Sequence, residues 1–270
     1  MSSIGKGDDD LSTKIQCDSQ TPFKYTNPYC HRPNEYRPET ITPAQNLLAD
    51  HTVLLVNTYK ECREAVIELN SQLKEYDVLG IDAEWKITWR KKSGRKPVAL
   101  LQLASQYGLC ILIRLCIIER IPAELDEILA NPKILKVGIE SRSDGVFLNK
   151  DYQMRVWSTL DLRYMAAMCG LRPGGLAAMA KDHLFYELSK NKRVQCSNWE
   201  LEILSQRQIE YAALDAIIGY KLFLYYSSFQ HCITYYTISC FYDKHFSHPK
   251  GMIMYEKSLS DQKTEQKQNE

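Results

Sequence analysis

Net charge is almost absent from this chain. Its 34 Lys and Arg against 33 Asp and Glu leave +1, so no global field draws it to a polyanion, and any nucleic-acid contact must come from local patches. Long apolar runs are absent too. None approaches the ~20 residues a membrane-spanning helix needs. The first ten residues are polar and include Asp8-Asp9-Asp10, which argues against a secretory leader and is too acidic for a typical transit peptide. No C-x-x-C occurs among the nine cysteines, and their number is odd. Free thiols in a reducing, intracellular compartment are therefore expected, not a disulfide framework. Zinc sets drawn from Cys17, Cys30 and His31, or from Cys232, Cys240, His245 and His248, match no standard ligand spacing. No internal repeat is visible. What is present is an apolar fraction of 44%, ordinary for a globular core, in a length that fits one large domain with tails or two small ones.

Prolines 22, 28, 33, 38 and 43 punctuate the first 45 residues. That spacing forbids a long helix and predicts an extended or disordered arm over 1–45. A short strand follows at 52–56. Thr58-x-x-Glu61 reads as a capping box opening a helix to about Tyr76. Strands are expected at 78–85, 98–104 and 109–114, the last two so closely joined that they must be antiparallel. A helix at 123–129, a strand at 134–139, a helix at 143–149 and a strand at 156–160 come next. Helices at 162–168 and 176–183 follow, then a loop over 189–198. Ser205-x-x-Gln208, a second capping box, opens a long helix from 206 to about 226. A meander followed by alternating strands and helices makes an α/β fold, a mixed β-sheet flanked by helices on both faces. Residues 229–270 form a short aromatic segment and a polar tail that reads as disordered.

The run Val78-Leu79-Gly80-Ile81-Asp82-Ala83-Glu84-Trp85 is the focus. It starts as a buried strand and ends in two carboxylates. Side chains two apart on a strand share a face, so Asp82 and Glu84 aim at one point. Like charges so placed repel, and a bound divalent cation with hard oxygen ligands, Mg²⁺ or Mn²⁺, relieves them. Acidic pairs at this spacing also occur as Glu75/Asp77 and Glu200/Glu202, where solvated surface is the simpler reading; the apolar strand beneath Asp82 and Glu84 sets them apart. In the long helix, Tyr211 and Asp215 are four residues apart and share a face, an arrangement that a tyrosine at a core edge and a surface aspartate would also produce.

Asp82-Ala83-Glu84, Asp144 within Lys136-Val137-Gly138-Ile139-Glu140-Ser141-Arg142-Ser143-Asp144, and Tyr211-x-x-x-Asp215 resemble the three motifs of the DEDDy 3′→5′ exonucleases. That superfamily includes ribonuclease D, polymerase proofreading domains and the Werner exonuclease domain. Leu100-Leu101-Gln102-Leu103-Ala104, Leu160-Asp161-Leu162-Arg163-Tyr164 and Cys196-Ser197-Asn198-Trp199 are similar to the branch of exonuclease 3′-5′ domain-containing and Werner-like proteins. The resemblance spans roughly 48–228 and implies a ribonuclease H-like sheet and a metal-dependent 3′-5′ exonuclease acting on DNA and/or RNA. It implies two divalent cations held by Asp82, Glu84, Asp144 and Asp215, with Tyr211 orienting the attacking water. Two departures stand out. The family's second motif usually has Asn a few residues before its Asp, where this chain has Glu140-Ser141-Arg142-Ser143. Longer relatives continue into further sequence, so such a module is expected to be missing or reduced.

The loop 90–96 carries Arg90, Lys91, Lys92, Arg95 and Lys96. It can track a phosphate backbone, serve as a nuclear-targeting run or simply be solvated. Lys190, Lys192 and Arg193 form a second basic stretch, and Arg193 joins the substrate-binding candidates. Trp85 can stack on the terminal base or ribose, or lie in the core. The expected partner is single-stranded or 3′-recessed nucleic acid, with a homodimer left open. The competing function is a catalytically silent nucleic-acid or protein adaptor, which should have lost a carboxylate; this chain keeps all four.

Overall fold

The computed structural model describes residues 40–75, 77–87, 95–189 and 191–229. Six strands form the main sheet in the order β2-β5-β4-β3-β6-β7: β2 (Thr52–Val56), β3 (Asp77–Trp85), β4 (Val98–Ser105), β5 (Leu109–Ile113), β6 (Ile134–Gly138) and β7 (Thr159–Asp161). Only β4 runs against its neighbours; β2 pairs parallel with β5, and β3, β6 and β7 are mutually parallel. The main helices are α1 (Tyr59–Gln72), α2 (Ala123–Ala130), α3 (Ser141–Tyr152), α4 (Leu162–Met168), α5 (Leu176–Leu184), α6 (Lys192–Gln195) and α7 (Gln206–Ser227). A two-stranded parallel pair, β1 (Thr42–Pro43) with β8 (Tyr186–Glu187), stands apart from the main sheet.

Strand alternation sorts the core into two layers. Leu79, Ile81 and Ala83 of β3 face the layer packed by α1, α2 and α3. Val78 faces the layer packed by α4, α5 and α7, and the same periodicity sends Gly80, Asp82 and Glu84 to that side. Both capping boxes form as the sequence predicts: Thr58 with Glu61 starts α1, and Ser205 with Gln208 starts α7.

The differences from sequence expectation have local causes. Helix α1 stops at Gln72, four residues early, because Leu73 turns extended and Asp77 accepts the Lys74 amide at 2.9 Å. The strand expected at 156–160 is β7 at Thr159–Asp161, since Ser158 has φ 53° and a left-handed residue breaks a strand. Helix α3 begins at Ser141, two residues before expectation. The stretch 189–198 is not all loop: Asn191 caps the short α6. The arm expected over 1–45 gives way before its end, because Thr42 and Pro43 pair with β8 and Ala44 starts a 3-10 helix, Ala44–Asp50, that buries Ala44 and Leu47. At the other end Phe229 packs on Tyr225 with ring centroids 5.1 Å apart and belongs to the folded layer. The rest of the 229–270 segment lies outside the described residues, as do both sets of zinc candidates. Among the described residues, Cys62, Cys110, Cys116 and Cys196 are free thiols, and no helix is long and apolar enough to cross a membrane.

Candidate active site

The cleft arises from a mismatch in strand length. Pairing of β3 with β6 ends at Gly80 and Val137, and β6 leaves the sheet after Gly138. Strand β3 continues to Trp85, paired only with β4. Asp82 and Glu84 thus stand on a strand whose other edge has been vacated. Ligand sites beyond the carboxyl ends of parallel strands follow this logic.

Helix α7 closes on that ledge at backbone contact distance. A Cβ on Gly80 would lie 1.9 Å from the carbonyl oxygen of Ala216. Only glycine at 80 lets α7 sit this low, and Asp215, the residue before Ala216, is thereby brought to Asp82. One oxygen each from Asp82, Glu84 and Asp215 lies within 4.8 Å of the others, a group able to hold a metal ion. Asp144, in the first turn of α3, lines the same cavity from the other side. It is 5% exposed, and its Oδ2 has no hydrogen-bond partner among the described residues.

The start of α3 is held by a clamp. Glu140 has φ 59°, a conformation costly for a residue other than Gly, Asn or Asp. Its amide donates to Asp161 Oδ2 at 3.0 Å. Arg163 grips Asp161 through Nε and a terminal nitrogen at 2.9 and 2.5 Å, and also reaches the Glu140 carboxylate at 3.3 Å. The resemblance places Asn near this point, whereas here Glu140 adds a fifth carboxylate to the cavity rim.

The acids raise one another. Burial pushes Asp82 up to about 7. Glu84 is held well above the usual carboxylate range by burial, then by Asp82, Asp215, Asp144 and the Cys196 thiol. Asp144 is raised by burial, Asp82, Glu140 and Asp161. Asp215 is raised by burial and by Asp82, an effect its hydrogen bond from Tyr211 opposes. Tyr211 is itself pushed above its ordinary value, by burial and then by Asp215, Glu84 and Asp82. Its ring is set by Trp199, 6.2 Å away between centroids; Trp199 is fully buried and donates to the Gln195 carbonyl at 3.1 Å. Gln208 ties the segment before α7 to the helix through Ser197 Oγ and the Asn198 carbonyl.

All five acid and tyrosine candidates, Asp82, Glu84, Asp144, Tyr211 and Asp215, line one cavity of about 740 Å³, and Trp85 lines it with them. Trp85 also packs edge-on against Phe147, centroids 5.2 Å apart, so it is half wall and half core. Arg90, Lys91 and Lys92 lie outside the described residues. Arg95 already has partners within the protein. One terminal nitrogen of its guanidinium donates to both Asp151 carboxylate oxygens, at 2.9 and 2.8 Å, and the group stacks 4.0 Å from the Phe147 ring centroid. Lys96 is exposed. Arg193 is exposed without lining the cavity; Lys192, one position earlier, lines it. Sequence reasoning also did not single out Glu140, Gln195 and Cys196 as wall residues. The Cys196-Ser197-Asn198-Trp199 motif was the available signal for the last.

Fold and site together define an α/β domain with an acidic, cation-ready cleft. Residues 57–227 match the family model described as 3′-5′ exonuclease, and the chain belongs to that family. Exonuclease 3′-5′ domain-containing protein 2 of Drosophila melanogaster is 43% identical over 156 residues, covering 58% of this chain and 26% of that protein. The chain thus corresponds to a minor part of that relative's length. A solved structure described as an EXD2 exonuclease domain soaked in Mn is 36% identical, covers 66% of this chain and 90% of that one, and has a TM-score of 0.40. The Nibbler EXO domain of Aedes aegypti is 20% identical over 71% of this chain and 95% of that one, with a TM-score of 0.59. That likeness shows a shared ribonuclease H-like fold.

Proposed function

We propose that this chain hydrolyses phosphodiester bonds of DNA or RNA from the 3′ end, using two divalent cations, Mg²⁺ or Mn²⁺. The observation that carries the reading is the convergence of Asp82, Glu84, Asp144 and Asp215, from three different elements, on one cavity. Four carboxylates, Glu84 and Asp144 buried and Asp82 and Asp215 half-buried, with three of them raised by the charge of the others and one left with an orphaned oxygen, are an arrangement that cations stabilise. An oxygen donor set selects hard ions. Bound there, two ions would neutralise the phosphate oxygens, make water a nucleophile at neutral pH and steady the leaving 3′ oxygen.

The protein's own part is to hold and to orient. Asp82 would serve both ions, Glu84 and Asp215 would complete one site, and Asp144 would hold the other. Tyr211 is too weak an acid, raised further here, to act as a base near pH 7. Its task is to position the attacking water, together with Glu84. Trp85 offers a face to the terminal base or ribose. Lys192, on the cavity wall, and Lys96, exposed beyond Arg95, are cations within reach of the strand's phosphates. Single-stranded or 3′-recessed nucleic acid is the partner this opening suits. The adaptor alternative gains nothing from a site in which every carboxylate is retained.

The test is digestion of matched 5′-end-labelled DNA and RNA oligonucleotides with Mg²⁺, with Mn²⁺ and with a chelator. A ladder shortening from the 3′ end, lost with chelator and in Asp82→Ala, is the expected result. Rapid cutting of a circular single strand would point to an endonuclease instead. Undiminished digestion by Asp82→Ala would remove the two-metal assignment.

A further inference from the structure

Gln102 is fully buried, and neither end of its amide has a hydrogen-bond partner among the described residues. An unsatisfied buried polar group loses its hydration without replacement, so a glutamine in the middle of the central sheet needs a reason. Strand register supplies one. Gln102 lies directly opposite Asp82 in the β3/β4 ladder and opposite Leu112 in the β4/β5 ladder. Opposed residues share a face, with Cβ atoms about 4.5–5.5 Å apart, a gap the glutamine side chain can close. Leu100 and Ala104, which share the face of Gln102 along β4, are packed in the apolar layer beneath α7. Across the ladders, then, this amide has a carboxylate on one side and a leucine on the other.

We propose that Gln102 is a positioning residue for Asp82: in the cation-loaded protein its amide N–H donates to the Asp82 carboxylate, directly or through one water, and fixes the rotamer that presents the remaining lone pairs to the ions. The inference rests on the exonuclease reading above. Asp82 is the acid where such control matters most, because its charge reaches Glu84, Asp144 and Asp215 alike. A glutamine suits the place better than a lysine or arginine would. It donates without adding charge, so it orients Asp82 without competing with the cations for it. Outer partners that orient a metal-ligating carboxylate typically contribute 10–100-fold in metal affinity or activity.

Gln102→Met keeps length and volume and deletes only the amide; Gln102→Leu is made beside it. Without metal, both should melt at or above the wild-type temperature, because an orphaned polar group has been removed from the core. Mn²⁺ affinity by calorimetry should fall about 10-fold, and kcat should fall with it while KM for an oligonucleotide stays within about twofold. A purely packing role would move the melting temperature and leave Mn²⁺ affinity and kcat at wild-type values, and that result overturns the proposal. Failure of both variants to fold would also overturn it, by assigning the amide to core packing. Wild-type protein that neither binds Mn²⁺ nor digests an oligonucleotide would instead sink the exonuclease reading itself.

Discussion

The Tyr211 hydroxyl donates a hydrogen bond to the Asp215 carboxylate one helical turn further along α7. The two groups are therefore linked before any substrate arrives, and their variants should still separate. Tyr211→Phe keeps the ring on Trp199 and removes one donor. Asp215 then loses the contact that opposes its upward shift, so Mn²⁺ affinity should drop slightly, within a few-fold. The rate should fall on the order of 10²-fold, as for loss of one positioning hydrogen bond. Asp215→Asn should lose most Mn²⁺ affinity as well as rate. Mn²⁺ titrations read by calorimetry and by turnover separate the two, and full turnover in Tyr211→Phe at saturating metal would reduce Tyr211 to a packing residue.

Gly80 sets the height of α7 over the sheet. In Gly80→Ala the new Cβ would meet the Ala216 carbonyl at 1.9 Å, and backbone cannot yield as a side-chain end can. The helix must lift, at a cost of roughly 1–3 kcal/mol or more for an overpacked core, and Asp215 lifts with it. A lower melting temperature together with weaker Mn²⁺ binding is expected. Stability loss with intact Mn²⁺ affinity would show that the carboxylates do not depend on this close approach.

These features differ in how far they could be read from residues alone. Strand β3, α7 and both capping boxes are local patterns: an apolar run, a 3.6-residue period, a side chain bonding three positions on. Each was legible because its cause lies within a few residues. The β1/β8 pair was not, since Thr42 finds its partner Tyr186 across most of the domain and neither strand has a period to detect. Ser158 broke the expected strand through a left-handed φ that serine rarely adopts. Gln102 entered the sequence reading only as a member of the Leu100–Ala104 motif; its place beside Asp82 depends on strand register. The carboxylates themselves were legible as motifs, but their mutual distances depend on the glycine contact with α7.

Acid–base behaviour should invert the usual pH trend. A folded-state value of about 7 at Asp82, against an ordinary 3.8, means that the folded protein binds more protons than the unfolded chain between those values. Stability then falls as pH rises through that window. Glu84, Asp144 and Asp215, all raised, act in the same direction. Metal-free protein should therefore melt lower at pH 7 than at pH 5 as far as this cluster contributes, and Asp82→Asn should flatten the trend. Protons and cations compete for the same oxygens, so stabilisation by Mn²⁺ should grow over the same range. Thermal melts from pH 5 to 8, with chelator and with Mn²⁺, check both slopes; a Mn²⁺ shift independent of pH would place the ion elsewhere.

Arg95 and Lys96 are neighbours in the basic run, but Arg95 is paired within the fold while Lys96 is exposed. Arg95 is bound by Asp151, whose Oδ2 also accepts the Val98 amide at 2.9 Å, and it stacks on Phe147. The side chains of this pair are 19% and 9% exposed, so the contact is mostly sheltered from water, and breaking it leaves Asp151 partly uncompensated. Arg95→Met should therefore destabilise the fold by roughly 1.5–3 kcal/mol, the range for a hydrogen bond to a charged group. It should leave the salt dependence of nucleic-acid binding unchanged, because a cation already paired with a carboxylate releases few counterions from a phosphate. Lys96→Gln should do the opposite: wild-type melting, and a salt slope flatter by up to about 0.7–0.9 if it contacts one phosphate. Denaturant unfolding and binding of a fluorescent oligonucleotide across a salt series measure the two effects separately. A flattened slope in Arg95→Met would mean that the Asp151 pair opens on binding and that Arg95 reaches the strand after all.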